Sequence, residues 1–102
     1  MRAMAKYTTI AAALLVAAHM AQADVRIDEA VKLQQSGKIK SFDVLNEIAI
    51  KQHTGTHITD TELEDAYGKY IYQVELRDES GQEWDVDIDA VTGEVLRSRQ
   101  DD

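Results

Sequence analysis

Between Glu83 and Asp89 the chain alternates without a break. Trp84, Val86 and Ile88 fall on one side of an extended backbone, and Asp85, Asp87 and Asp89 fall on the other. A period of two does not fit an amphipathic helix, so this stretch reads as a strand with one face in a core and one in water. Val91-Thr92-Gly93 then reads as a turn closing Ala90 onto Glu94, which pairs Ile88 with Leu96. Asp89 is placed to hydrogen-bond back into that turn, as Asx side chains do. The rest of the chain has to cover the Trp-Val-Ile face.

The preceding strand follows from the same parity. In Tyr70–Asp78, Tyr72, Val74 and Leu76 share one face, and Ile71, Gln73, Glu75 and Arg77 share the other. A three-residue loop, Glu79-Ser80-Gly81, closes Asp78 onto Gln82 and sets Leu76 opposite Trp84, Val74 opposite Val86 and Tyr72 opposite Ile88. On the other face Arg77 meets Glu83, while Glu75 meets Asp85. A four-residue loop would set core residues against charges, so parity excludes it. Tyr67-Gly68 marks a turn. Thr56–Ala66 reads as a further strand, in which Ile58 and Leu63 have opposite parity; a bulge between them lets both be buried. Arg97–Asp102 is polar and is expected to fray.

Upstream the period is helical. Ile27, Ala30, Val31 and Leu33 form a short stripe over Ile27–Ser36, with Asp28 and Glu29 in the first turn and Gly37 as the stop. Ser41 reads as the N-cap of a second helix, with Phe42, Leu45, Ile48 and Ala49 facing the core, Val44 on the flank and Gly55 as the C-terminal stop. The expected architecture is α+β: two N-terminal helices packed on one face of a three- or four-stranded antiparallel meander. Its expected core is Leu45, Ile48, Tyr72, Val74, Leu76, Trp84, Val86, Ile88 and Leu96.

Met1 to Ala23 reads as a cleaved signal peptide. Arg2 and Lys6 supply the positive start, Ile10 to Ala18 the apolar run, and Ala21-Gln22-Ala23 the cleavage site. The run is too short to span a bilayer, which needs about 20 apolar residues. Asp24 to Asp102 is then a single domain of 79 residues, periplasmic or secreted, with no stable membrane insertion after cleavage. It has no Cys to brace it. Loss of Arg2 and Lys6 takes the 11 basic residues to nine against 19 acidic, a net charge of −10. That charge argues against nucleic acid and anionic membrane as partners.

Tyr70-Ile71-Tyr72-Gln73-Val74-Glu75-Leu76, then Gly81, Trp84, and Asp89-Ala90 with Thr92-Gly93-Glu94 before Val95-Leu96, resemble the PepSY family. That family shows a tyrosine-bearing strand, a glycine turn and a terminal D-A-x-T-G-x-[VI] hairpin. Gly55-Thr56-His57-Ile58 and the Phe42–Gln52 helix stand where the family has its strand start and its helix. Related exported proteins often have a proline between the helices, where this chain has Lys40-Ser41; that leaves the start geometry of the second helix open. The resemblance implies a non-catalytic domain like those in propeptides of thermolysin-type metalloproteases, in membrane proteins and in small exported proteins, regulating peptidases outside the cytoplasm. It carries over no catalytic residue and no cofactor.

Three constellations invite other chemistry. Asp85-x-Asp87-x-Asp89 resembles a calcium loop in spacing, but Ala90 and Leu96 stand where an EF-hand needs Gly and Glu, and strand side chains stand in a row. His53 and His57 have zinc spacing on a helix, yet Thr54-Gly55-Thr56 breaks that helix, and a metal would need a carboxylate such as Asp60. No nucleophile motif such as G-x-S-x-G occurs. Tyr70, Tyr72 and Trp84 read as packing rather than as a ligand groove. No metal or catalytic site is expected, therefore, and the chain is not expected to be an enzyme. Ile71 and Val95 are expected on the solvent face beside the acidic row. The expected role is a periplasmic module that contacts a protein, a peptidase or an envelope sensor, through the open sheet face, with Ile71, Gln73, Glu75, Asp85, Asp87 and Asp89 as contact candidates, or through a strand edge. The alternative is a small-ligand or cation-binding domain using the same acidic face. Sequence leaves the oligomeric state open.

Overall fold

In the computed structural model, which describes residues 22–101, the core is built on β3 (Lys69–Arg77) and β4 (Glu83–Asp89). Their register pairs Leu76 with Trp84, Val74 with Val86 and Tyr72 with Ile88, as parity requires. The loop between them closes Asp78 onto Gln82 through Asp78 N–H donating to the Gln82 carbonyl at 3.0 Å. The Asp78 carboxylate accepts from the Ser80 hydroxyl and from the Ser80 and Gln82 amides, and these bonds, the Ser80 hydroxyl foremost, hold its pKa below the usual value.

The sheet has five strands, in the order of the chain: β1 (Gln22–Asp24), β2 (His57–Ala66), β3, β4 and β5 (Val95–Asp101), all antiparallel. The expectation of three or four strands is therefore corrected. Two ladders account for the difference. β1 lies where the cleavage site was expected; Ala and Asp are poor strand formers, and it is held by pairing with Glu64–Ala66 rather than by propensity. β5 was expected to fray from Arg97 onward, but it pairs along its length, with Arg97 opposite Asp87 and Arg99 opposite Asp85. The rest of the proposed signal peptide lies outside the described residues.

The bulge in β2 falls between Ile58 and Asp60, and Leu63 is buried while Ile58 packs at the core edge. Tyr67 and Gly68 both have positive φ, which matches a two-residue hairpin turn closing Ala66 onto Lys69.

The last hairpin differs from expectation. Asp89 N–H donates to Glu94 C=O and Gly93 N–H to Asp89 C=O, so the turn closes Asp89, not Ala90, onto Glu94. A register shift between Asp87 and Ile88 absorbs the extra residue and pairs Ile88 with Val95. Leu96 is therefore not a core residue; it is 40 % exposed, and Val95 packs against the core in its place. Val95 accordingly does not lie on the solvent face.

Helix α1 (Ile27–Gln35) ends where Gly37 N–H reaches the Gln34 carbonyl and Lys38 N–H the Leu33 carbonyl, a Schellman closure. Only Ala30 and Leu33 of its stripe are buried; Ile27 is 86 % exposed. Helix α2 (Phe42–Gln52) is capped by the Ser41 hydroxyl accepting from Val44 N–H at 3.3 Å. His53, not Gly55, is its C-cap. Leu45 and Ala49 are fully buried against the sheet, with Phe42 and Ile48 beside them. Phe42 stacks on Tyr72, ring centroids 4.9 Å apart, and the Tyr72 hydroxyl donates to Asn46 Oδ1 at 2.8 Å. Burial pushes the Tyr72 phenol pKa up, and its bonds to Thr61 and Asn46 oppose that. His53 is half-buried, stacked on Trp84 at 4.2 Å, with Nε2 2.8 Å from Ser98 Oγ. It belongs to the packing over Trp84 rather than to the free surface, whereas His57 is exposed.

Candidate protein-contact face

With the helices on one side of the sheet, the opposite side is open. Strand alternation sends to it Asp60, Glu62 and Glu64 from β2, Ile71, Gln73, Glu75 and Arg77 from β3, Glu83, Asp85 and Asp87 from β4, and Arg97 and Arg99 from β5. The registers align these into cross-strand rows. One row runs Glu62, Gln73, Asp87, Arg97; the next runs Asp60, Glu75, Asp85, Arg99. Together they line a shallow cavity of about 260 Å³.

The rows are graded in charge. At the β5 end Arg97 donates through Nε and Nη2 to Asp87 Oδ2, at 3.1 and 2.9 Å. Arg77 donates to Glu83, and Lys69 Nζ lies 3.6 Å from Asp89. Asp85 is less well matched. Burial, then Asp101 and Glu75, raise its pKa, while Arg99 lowers it. At the β2 end no cation intervenes among the described residues. Carboxylate oxygens of Asp24, Glu62 and Glu64 lie within 4.8 Å of one another. Asp24 foremost, then burial, Asp60 and Glu64, raise the Glu62 pKa. Exposed acidic groups of this kind are common without an ion.

Of the residues that sequence places on this face, the structure gathers Gln73, Glu75, Asp85 and Asp87 in the cavity. Ile71 is half-buried one row away, opposite Asp89. Asp89 is 8 % exposed and committed to its turn, accepting from Val91 and Thr92 amides. Sequence reasoning missed Asp60, Glu62, Arg97 and Arg99. The signal for the carboxylates was present in the parity of β2 once the bulge is placed. The signal for the arginines was their two-residue spacing, which matches that of Asp85 and Asp87. The face presents carboxylates, an amide and guanidinium groups, a set suited to pairing with charged side chains.

Residues 34–99 match the PepSY family, the peptidase propeptide and YPEB domain. The chain belongs to that family. PepSY domains are in general propeptide or regulatory-like modules, typically non-catalytic, found commonly in exported proteins and acting in protein interactions with peptidases. The chain is also similar to the uncharacterized protein YkoJ of Bacillus subtilis (strain 168), 38 % identical over 56 residues. That match covers 55 % of this chain and 32 % of YkoJ, so the chain spans about a third of that relative's length. No solved structure matches the chain. The PepSY match begins near the end of α1, so β1 and most of α1 lie outside it. No helix among the described residues is long and apolar enough to cross a membrane.

Proposed function

We propose that this PepSY chain is a non-catalytic periplasmic module that regulates a protein partner, a peptidase or the exported part of an envelope sensor, by contact through the open sheet face. The observation that carries the reading is the one-sided cover of the sheet. Both helices pack on one face, and the other presents a cavity with Glu75 and Asp85 facing each other. Like charges set opposite each other destabilise a lone domain, and a basic partner offsets that repulsion.

The test is capture from the envelope of the source organism with the chain as bait. A single peptidase or sensor ectodomain is expected to be retained by the wild type, lost with the double reversal Glu75→Lys and Asp85→Lys, and kept with Glu47→Lys on the helical side. Retention that ignores the double reversal would refute the face assignment.

A further inference from the structure

We propose that the open edge of β2 around Asp60–Leu63 takes an extended segment of a partner protein as an added strand, and that this segment alternates basic and apolar side chains. The proposal rests on the binding-module reading and names the chemistry of the partner.

The first observation is an unfinished ladder. β1 pairs only with Glu64, Asp65 and Ala66, and one further bond, Val25 N–H to Leu63 C=O at 2.8 Å, ends the contact. The chain then leaves the sheet for α1, while β2 runs on to His57 with β3 on one side only. Since the Leu63 carbonyl points toward β1, strand alternation points the N–H and C=O of Thr61 to the same open side. These are the groups that strand addition uses. The bulge at Thr59 bends β2 and limits the site toward His57.

The second observation lies beneath that edge. A cavity of about 470 Å³ opens between β2 and the helices, walled by Val25, Ile27, Val31, Phe42, Leu63 and Tyr72. Ile27 and Val31, one helical turn apart on α1, leave apolar surface exposed at its rim. The third lies above the edge, where Asp24, Asp60, Glu62 and Glu64 crowd without an ion pair among the described residues. An added strand sends alternate side chains to opposite faces. Apolar ones then meet the cavity, and lysines or arginines meet the carboxylates. A second copy of this chain does not fit: pairing β2 with β2 would set carboxylates against carboxylates, the usual guard against self-pairing at an edge.

The experiment titrates the full chain with labelled peptides of about six residues, the usual strand length, read by fluorescence anisotropy. One peptide alternates Lys and Val, one has the same composition in two blocks, and one alternates Glu and Val. Two further copies of the Lys-Val peptide are N-methylated on alternate residues, one set for each strand edge. The alternating Lys-Val peptide is expected to bind at least tenfold tighter than the other two parent peptides. One methylated set is expected to lose about tenfold or more in affinity, as loss of edge hydrogen bonds implies, and the other set to bind as before. Glu62→Lys is expected to weaken binding up to about fivefold, and Glu47→Lys to leave it unchanged. Equal binding of the alternating and block peptides, equal effects of the two methylated sets, or no peptide binding at all would overturn the proposal. The envelope capture reads the binding-module reading separately, because it depends on Glu75 and Asp85 and not on the β2 edge.

Discussion

Replacing Asp89 by Ala removes the acceptor around which the last hairpin is wound. Its carboxylate takes the Val91 amide at 2.9 Å and the Thr92 amide at 3.2 Å, and Lys69 Nζ stands 3.6 Å away. A hydrogen bond to a charged acceptor contributes about 1.5–3 kcal/mol net. Val91 and Thr92 are exposed, so water replaces part of each bond, and the two together are worth about 2–3 kcal/mol. The half-exposed Lys69 pair adds at most about 1 kcal/mol. In a domain of this size 1 kcal/mol moves Tm by about 4–8 °C, so Asp89→Ala is expected to lower Tm by roughly 10–20 °C. Asp89→Asn keeps an oxygen for both amides and loses only the charge, for a drop of roughly 4–8 °C. Thermal and urea unfolding followed by circular dichroism and Trp84 fluorescence measure both. If Asn falls as far as Ala, the charge rather than the turn holds this corner, and the reasoning is refuted. A loss below about 0.5 kcal/mol for Ala refutes it as well.

The bulge between β4 and β5 separates Val95 from Leu96: Val95→Asp is expected to cost about 2–4 kcal/mol, and Leu96→Asp at most about 1, in urea unfolding. The reverse order would restore the Ile88–Leu96 pairing. Gly93 has φ +82° and a Cβ there would lie 3.0 Å from Lys40 Cε and 3.2 Å from Ile48 Cδ1, so Gly93→Ala is expected to destabilise by at least about 1–2 kcal/mol by the same assay. Glu62→Gln is expected to raise Tm at neutral pH by a few degrees, since exposed charge pairs are worth about 0.2–1 kcal/mol. The sign follows from its raised pKa: the ionised carboxylate is disfavoured in the fold, so stability falls as pH climbs from 4.5 through the raised folded value. The advantage of Gln should therefore vanish in melting curves taken below about pH 4.5.

What was legible in the sequence was what parity controls. The β3–β4 register followed from matching two apolar rows through a glycine loop, and the β2 bulge from the clash of Ile58 with Leu63. The Ser41 cap and the buried Leu45 and Ala49 followed from helical spacing. What was not legible depended on partners. Gln22–Asp24 carries no strand signal of its own and is a strand because β2 is there to pair with. Ser98 and Gln100 look like a frayed end until Arg97 and Arg99 find Asp87 and Asp85 across the ladder. The misplaced Leu96 came from assuming an unbulged strand, since one extra residue reverses every side chain beyond it. At the candidate face, Glu75, Asp85 and Asp87 came from alternation alone. The bond of Asp89 back into its turn was legible from its Asx chemistry, and those same turn amides leave it buried rather than exposed in the row.

Strand order equal to chain order has a consequence for how the sheet opens. The β2–β3, β3–β4 and β4–β5 ladders each close through a short turn, so the loss of chain freedom on closing them is small. The β1–β2 ladder is different. Gln22 meets Ala66 only after both helices intervene, and three residue pairs with one further bond from Val25 N–H are all that repay the longer closure. Under native conditions this ladder is expected to be the first to lift, and hydrogen exchange should show the Val25 amide exchanging faster than those of β3. Each such opening would lengthen the free edge of β2 from Leu63 toward Ala66, so that an incoming strand would compete with a short flap rather than with a closed sheet.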